Sequence, residues 1–131
     1  MIVADTNVIA YLLIEGELTS FAKKLLLKDS EWIAPILWRS EFRNVLANYL
    51  RAKLFTLPQA QYLLDKALRL MNGKEFSINS HSVLALAEKS GCSAYDCEYI
   101  AVAIDKGVKL VTTDKKLIKV FPEYCVQLSK I

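Results

Sequence analysis

The sequence predicts an α/β fold of three layers, an α/β/α sandwich with helices on both faces of a central parallel sheet of about five strands. Three observations predict it. Short apolar runs that read as strands alternate with longer segments of helical periodicity, and every parallel return needs such a crossover helix. Capping and turn residues stand where one kind of segment hands over to the other. Hydrophobic residues make up 53% of the 131 and charged residues 24%, the composition of a globular domain with its own core. One domain over 1–131 is expected.

Ile2 and Val3 read as a buried strand that runs into Asp5-Thr6-Asn7, where Asp5 or Asn7 can cap the helix of the apolar run Val8 to Ile14. Gly16 marks a turn, and Thr19 can cap a second helix through about Lys28 with Phe21, Leu25 and Leu26 as its apolar stripe. Glu31 to Ala34 is a short strand, and Pro35 is placed to open the following helix at its first turn. That helix runs to about Lys53, with Trp38, Phe42, Val45, Leu46, Tyr49 and Leu50 at the spacing of one buried face. Thr56 and Gln59 form a capping-box pattern for a helix ending near Asn72-Gly73. Glu75 to Ile78 is a strand, and Asn79 or Ser80 caps a helix that stops at Gly91. Ser93 and Asp96 look like a second capping box, for a helix to Lys106 and Gly107. Lys109 to Thr112 is a strand, Asp114 can cap a short helix to about Val120, and Cys125 to Leu128 is the last strand.

Several function classes are excluded or disfavoured. The three cysteines Cys92, Cys97 and Cys125 lack paired C-x-x-C spacing, so they read as reduced core thiols of a cytoplasmic protein and not as a disulfide framework or zinc site. Asp5 and Glu15 interrupt the first apolar run well short of a membrane span, and no basic segment precedes it. His81 is the only histidine and reads as a surface or helix-start residue, which argues against an acid/base pair of histidines, and no Ser, His and Asp arrangement can be built without it. With four glycines in the chain there is no Gly-rich phosphate loop. A net charge of +3 permits a polyanionic partner. Trp32, Trp38, Tyr49, Tyr62 and Tyr99 read as core or subunit contacts more than as platforms for stacked bases.

The candidate chemistry lies in four acids. Asp5 and Asp114 each follow a short apolar strand and precede a helix, so in a parallel sheet they emerge at the same edge, where ligands bind in open α/β folds. Glu41 lies three residues after Trp38 and four before Val45, and Asp96 three and four before Tyr99 and Ile100, which sets both on or beside apolar faces. Glu98 and Asp105 fall on the solvated side. Taken singly, Asp5 and Asp96 are explained as caps, and Glu41 as a surface acid paired with Arg39, Arg43 or Arg51. Together they demand more, because two carboxylates about 4 Å apart repel by about 4 kcal/mol at an effective dielectric near 20. Oxygen ligands without histidine favour Mg²⁺ or Mn²⁺, one ion or two, and such an ion can activate water for in-line attack on a phosphodiester. Thr6, Asn7, Thr112 and Thr113 can support the acids, and Arg39, Arg43, Lys115 and Lys116 stand beside them in sequence where phosphates would bind, although any one of these cations alone reads as solvated surface.

Four segments then carry a resemblance: Asp5-Thr6-Asn7, Ser40 to Leu46, Tyr95 to Ala103, and Leu110 to Leu117. In order, spacing and flanking residues they resemble the successive motifs of PIN-domain ribonucleases, most closely the VapC-like toxins of prokaryotic toxin–antitoxin pairs. The likeness spans nearly the whole chain and keeps all four acids, with Cys97 where a small residue is common. It implies a five-stranded parallel sheet with Asp5 on the central strand and a Mg²⁺- or Mn²⁺-dependent endoribonuclease acting on RNA. It also implies homodimerisation, and inhibition by a small cognate antitoxin whose tail occupies the active-site groove. By motif match Asp5, Glu41, Asp96 and Asp114 would be the metal-binding and catalytic acids, with Thr6, Asn7 or Thr112 supporting. Two other classes compete: a non-catalytic interaction module on the same fold, and a phosphoacceptor receiver. The receiver is disfavoured because Asp5 is followed by Thr6-Asn7 and not by a second acid.

Overall fold

The computed structural model describes residues 1–131. Its five strands are β1 (Ile2–Ala4), β2 (Trp32–Pro35), β3 (Glu75–Phe76), β4 (Leu110–Thr112) and β5 (Cys125–Gln127). Its seven helices are α1 (Thr6–Leu13), α2 (Thr19–Lys28), α3 (Trp38–Arg51), α4 (Leu57–Leu70), α5 (Ser80–Ser90), α6 (Ala94–Lys106) and α7 (Lys115–Val120), and a 3₁₀ turn follows at Leu128–Lys130. All strand pairs are parallel, in the order β3-β2-β1-β4-β5. The chain builds outward from β1 through β2 to β3, then crosses back to lay β4 and β5 on the other side of β1. The order therefore reverses at the boundary between β1 and β4, and a crevice opens at such a switch point beyond the carboxyl ends of the strands.

The strands are short, and the three central ones, β2, β1 and β4, are buried on both faces, as in parallel sheets covered by helices, while β3 and β5 at the edges are partly buried. Val3 pairs with Ile33 on one side and Leu110 on the other, and Trp32, Trp38, Phe42 and Ile100 fill the space between sheet and helices with no exposed surface. The sheet's tight connections fix the direction of α6. Gly107 ends that helix in the left-handed region, which a glycine enters without strain, and only Val108 and Lys109 separate it from β4. So α6 runs antiparallel to the strands, and its first turn lies at the edge where β1 and β4 end.

Two expectations are corrected. Pro35 closes β2 and does not open the next helix, which begins at Trp38. In β2 the N–H groups of Ala34 and Ile36 bond toward β3, to Lys74 and Phe76 carbonyls. Pro35 therefore faces β1 just past its last residue, where no ladder bond is lost. In α2 the buried side chains are Thr19, Ala22 and Leu25, and Phe21 is exposed. The Thr19 hydroxyl accepts from the Gly16 N–H and donates to the Tyr11 carbonyl, which turns Thr19 inward and rotates the helix away from Phe21.

The capping boxes divide. At Thr56 both halves form, since Gln59 N–H reaches the threonine hydroxyl and the glutamine side chain accepts from Thr56 N–H. At Ser93 only the serine half is present, with its hydroxyl taking the Asp96 N–H. Replacing Thr56 by Ala should lower the unfolding free energy by about 1 kcal/mol in urea titrations, with an unchanged slope.

Candidate active site

Four helices begin around the switch point, and each carries one of the predicted acids at its start. Asp5 is the residue before α1, Asp114 the residue before α7, and Glu41 and Asp96 lie in the first turns of α3 and α6. Helix N-termini carry partial positive charge, which favours an anion at each position.

Asp5 stands where a cap would, yet its side chain makes no cap hydrogen bond. Its Oδ2 instead accepts from the hydroxyl of the buried Thr112, at 2.6 Å. The same Thr112 oxygen takes the Asp114 N–H at 3.0 Å, so one side chain links the ends of β1 and β4. Asp114 does cap its helix, with Oδ1 accepting from the Lys116 and Leu117 N–H groups. Thr113 turns elsewhere, to the Tyr11 hydroxyl at 3.2 Å.

Glu41 is held from below. Its Oε1 accepts from the hydroxyl of Tyr99 at 2.6 Å and from that of Thr6 at 3.1 Å, and the two hydroxyls also touch each other. Tyr99 and Thr6 are both buried. The arrangement is a triangle of three oxygens sharing two hydroxyl protons, so it orients the carboxylate without neutralising it. Burial, with Glu41 next, pushes the Tyr99 hydroxyl far up, which keeps it a donor across the working pH range. Tyr99, expected as a core or subunit contact, is buried and in addition holds Glu41. The signal that could have found it was its place three residues after Asp96 on the same helix face.

None of the arginines near Glu41 in sequence pairs with it. Arg39 forms a two-nitrogen contact with Glu75, Arg43 donates to the Ser40 hydroxyl, and Arg51 donates to Asn48. No salt bridge in the protein involves Asp5, Glu41, Asp96 or Asp114. Glu98, read as solvated, is half-buried, and burial and then Glu41 raise its pKa. His81 is exposed, and the three cysteines are buried and unpaired.

The acids feel one another. Burial raises Asp5 to about 6, the Thr112 hydroxyl opposes the rise, and Glu41 and Asp96 add to it. Asp96 is raised first by burial and then by Asp114, and the Ser93 hydroxyl and then Lys116 oppose the rise. All four carboxyls thus belong to one electrostatic cluster. No three of them converge on a single point at metal-ligand distance. The donor set fits a hard divalent cation all the same, because it offers only carboxylate oxygens and the charge on Asp5 is answered by the Thr112 hydroxyl and the Asn7 backbone and by no basic side chain.

A groove of about 390 Å³ opens onto Asp5, Thr6, Asn7, Glu41, Asn44 and Tyr95. A larger cavity of about 500 Å³ lies between α5 and α6, but Lys89 and Asp105 are its only charged groups. Chemistry therefore favours the smaller one.

A parallel α/β sheet of this order with acids at its switch point defines a class of protein, and comparison names it. A family model described as the PIN domain matches residues 2–121, and the chain belongs to that family. Ribonuclease VapC3 of Pyrobaculum aerophilum is 29% identical over 126 residues, 92% of this chain and 95% of that protein. Among solved structures, PAE2754 from Pyrobaculum aerophilum is similar with a TM-score of 0.74 and 22% identity, covering 98% of this chain and 91% of that one. A chain in a toxin–antitoxin complex from Klebsiella pneumoniae is similar with a TM-score of 0.68 and 19% identity over 98% of both chains.

The raised Asp5 carries a pH signature. Its folded-state pKa of about 6 exceeds the ordinary 3.8, so the folded protein binds this proton more tightly than the unfolded chain does. The associated stability is fully present below about pH 3.8 and is lost as pH rises through about 6. Asp5→Asn should therefore be more stable than the parent at pH 8 in chelator, by on the order of 2 kcal/mol, with the difference vanishing near pH 3.5 in thermal melts.

Proposed function

We propose that this chain is a Mg²⁺- or Mn²⁺-dependent endoribonuclease, the toxin of a toxin–antitoxin pair, with its active site in the groove beside Asp5. The observation that carries the reading is the gathering of four acids at the switch point with no basic side chain paired to any of them. The PIN family match, the relative named a ribonuclease and the structural likeness to a toxin–antitoxin complex support it.

Asp5, Glu41, Asp96 and Asp114 would hold the cation. When bound, it would supply a polarised phosphodiester and a more acidic water. The chain's own contributions are positional. Thr112 fixes Asp5, while Thr6 and Tyr99 fix Glu41. Asn7 lies exposed on the groove wall, where it can meet a phosphate or ribose oxygen. Arg43, Lys115 and Lys116 are exposed and can contact the RNA backbone, whereas Arg39 is committed to Glu75. Thr113, bonded to Tyr11, braces α1 against the end of β4. A single domain over 1–131, a homodimer, a small antitoxin entering the groove and a cytoplasmic setting complete the reading. No helix is long and apolar enough to cross a membrane.

Asp5→Ala and Asp96→Ala should each lower RNA cleavage at least about a hundredfold and weaken Mn²⁺ binding in calorimetry, with circular dichroism unchanged. Undiminished cleavage by both variants would sink the nuclease reading. Tight partner binding without Mn²⁺ binding would favour a non-catalytic module. Tyr99→Phe removes one of the two donors to Glu41 and should slow cleavage about tenfold while lowering stability by about 1 to 2 kcal/mol. Single-turnover assays and urea titration read the two effects separately.

A further inference from the structure

The acid groove has one wall that cation binding leaves without a purpose. Tyr95 lies in the first turn of α6, next to Asp96, and lines the same cavity as Asp5, Glu41 and Asn44. Its side chain is 63% exposed, and it belongs neither to the core nor to the apolar residues packed against it. The same groove is lined by the exposed Asn44, one turn beyond Ser40 on α3, and by the exposed Asn7 at the start of α1. An amide presents a donor and an acceptor side by side, which matches the edge of a nucleobase. Single-stranded RNA is read in this way, with unstacked bases laid on aromatic rings and bonded at their edges.

We infer that Tyr95 and Asn44 form a nucleobase subsite, in which one unpaired base beside the scissile phosphate stacks on the Tyr95 ring and offers its edge to Asn44. The assignment rests on the ribonuclease reading and adds to it the two side chains that would contact one base. The acids would meet the phosphate and the ring its neighbouring base, so affinity and chemistry come from different side chains.

Binding without cleavage isolates the subsite. A mixed-sequence 2′-O-methyl RNA of about 12 nucleotides, labelled for fluorescence anisotropy in Mg²⁺, is titrated with the full chain. Tyr95→Ala should bind about tenfold or more weakly, and Tyr95→Phe, which keeps the ring, within about twofold of the parent. In a series of oligomers each abasic at one position, one position should weaken the parent by the same factor yet leave Tyr95→Ala unaffected, the non-additivity expected of a direct contact. Equal affinities of parent and Tyr95→Ala would overturn the subsite and leave the ring to a protein partner. So would abasic losses that add in full to the Tyr95→Ala loss at every position. Cleavage of the unmodified RNA by the parent is measured alongside. Tyr95-dependent binding without cleavage would overturn the nuclease reading while supporting the subsite.

Discussion

Four helix N-termini meet at one edge of a parallel sheet, and the site depends on that constraint. Each brings a carboxylate, and the partial positive charge of each helix start supports the acid it carries. Full cations would neutralise the cluster and close it to a ligand. Helix termini and neutral hydroxyls hold it in place while leaving its charge available. The raised Asp5 and Asp96 show how far that support falls short of compensation.

The hydroxyl partners also tie distant parts of the chain together. Thr112 joins Asp5 to the backbone of Asp114, and so couples the ends of β1 and β4 across the point where the strand order reverses. Tyr99 and Thr6 join α6 and α1 to the first turn of α3 through Glu41. A displacement of any one of these elements would be felt at a carboxylate. The site is therefore tied together beneath its acids by hydrogen bonds, while Tyr95, Asn7 and Asn44 stay exposed around the groove.

The acids differ in what the local backbone asks of them. Asp114 caps α7 and shares in the cluster through its charge. Ser93 performs the capping at α6, which leaves the Asp96 carboxyl unengaged by the backbone. Asp5 occupies a cap position but faces Thr112. A cap residue and a site residue can thus have the same sequence signature, and only the neighbouring strand separates the two roles.

Taken alone, the sequence determined what local chemistry determines. Strand and helix order, a cap at Asn79 or Ser80 and the capping box at Thr56 all follow from periodicity and propensity within a few residues, and the structure has them, with Asn79 as the cap. The boundary at Pro35 was not legible, because it depends on which neighbour β2 bonds at that residue, nor was the exposure of Phe21, which depends on the Thr19 bond to Tyr11. Tertiary structure alone decided that Tyr99 holds Glu41 from 58 residues away, that Arg39 goes to Glu75, and that Tyr95 is left facing the groove. Periodicity says whether a side chain points inward or outward. Which partner it meets there is set by strand order and register, and those exist only once the sheet has formed.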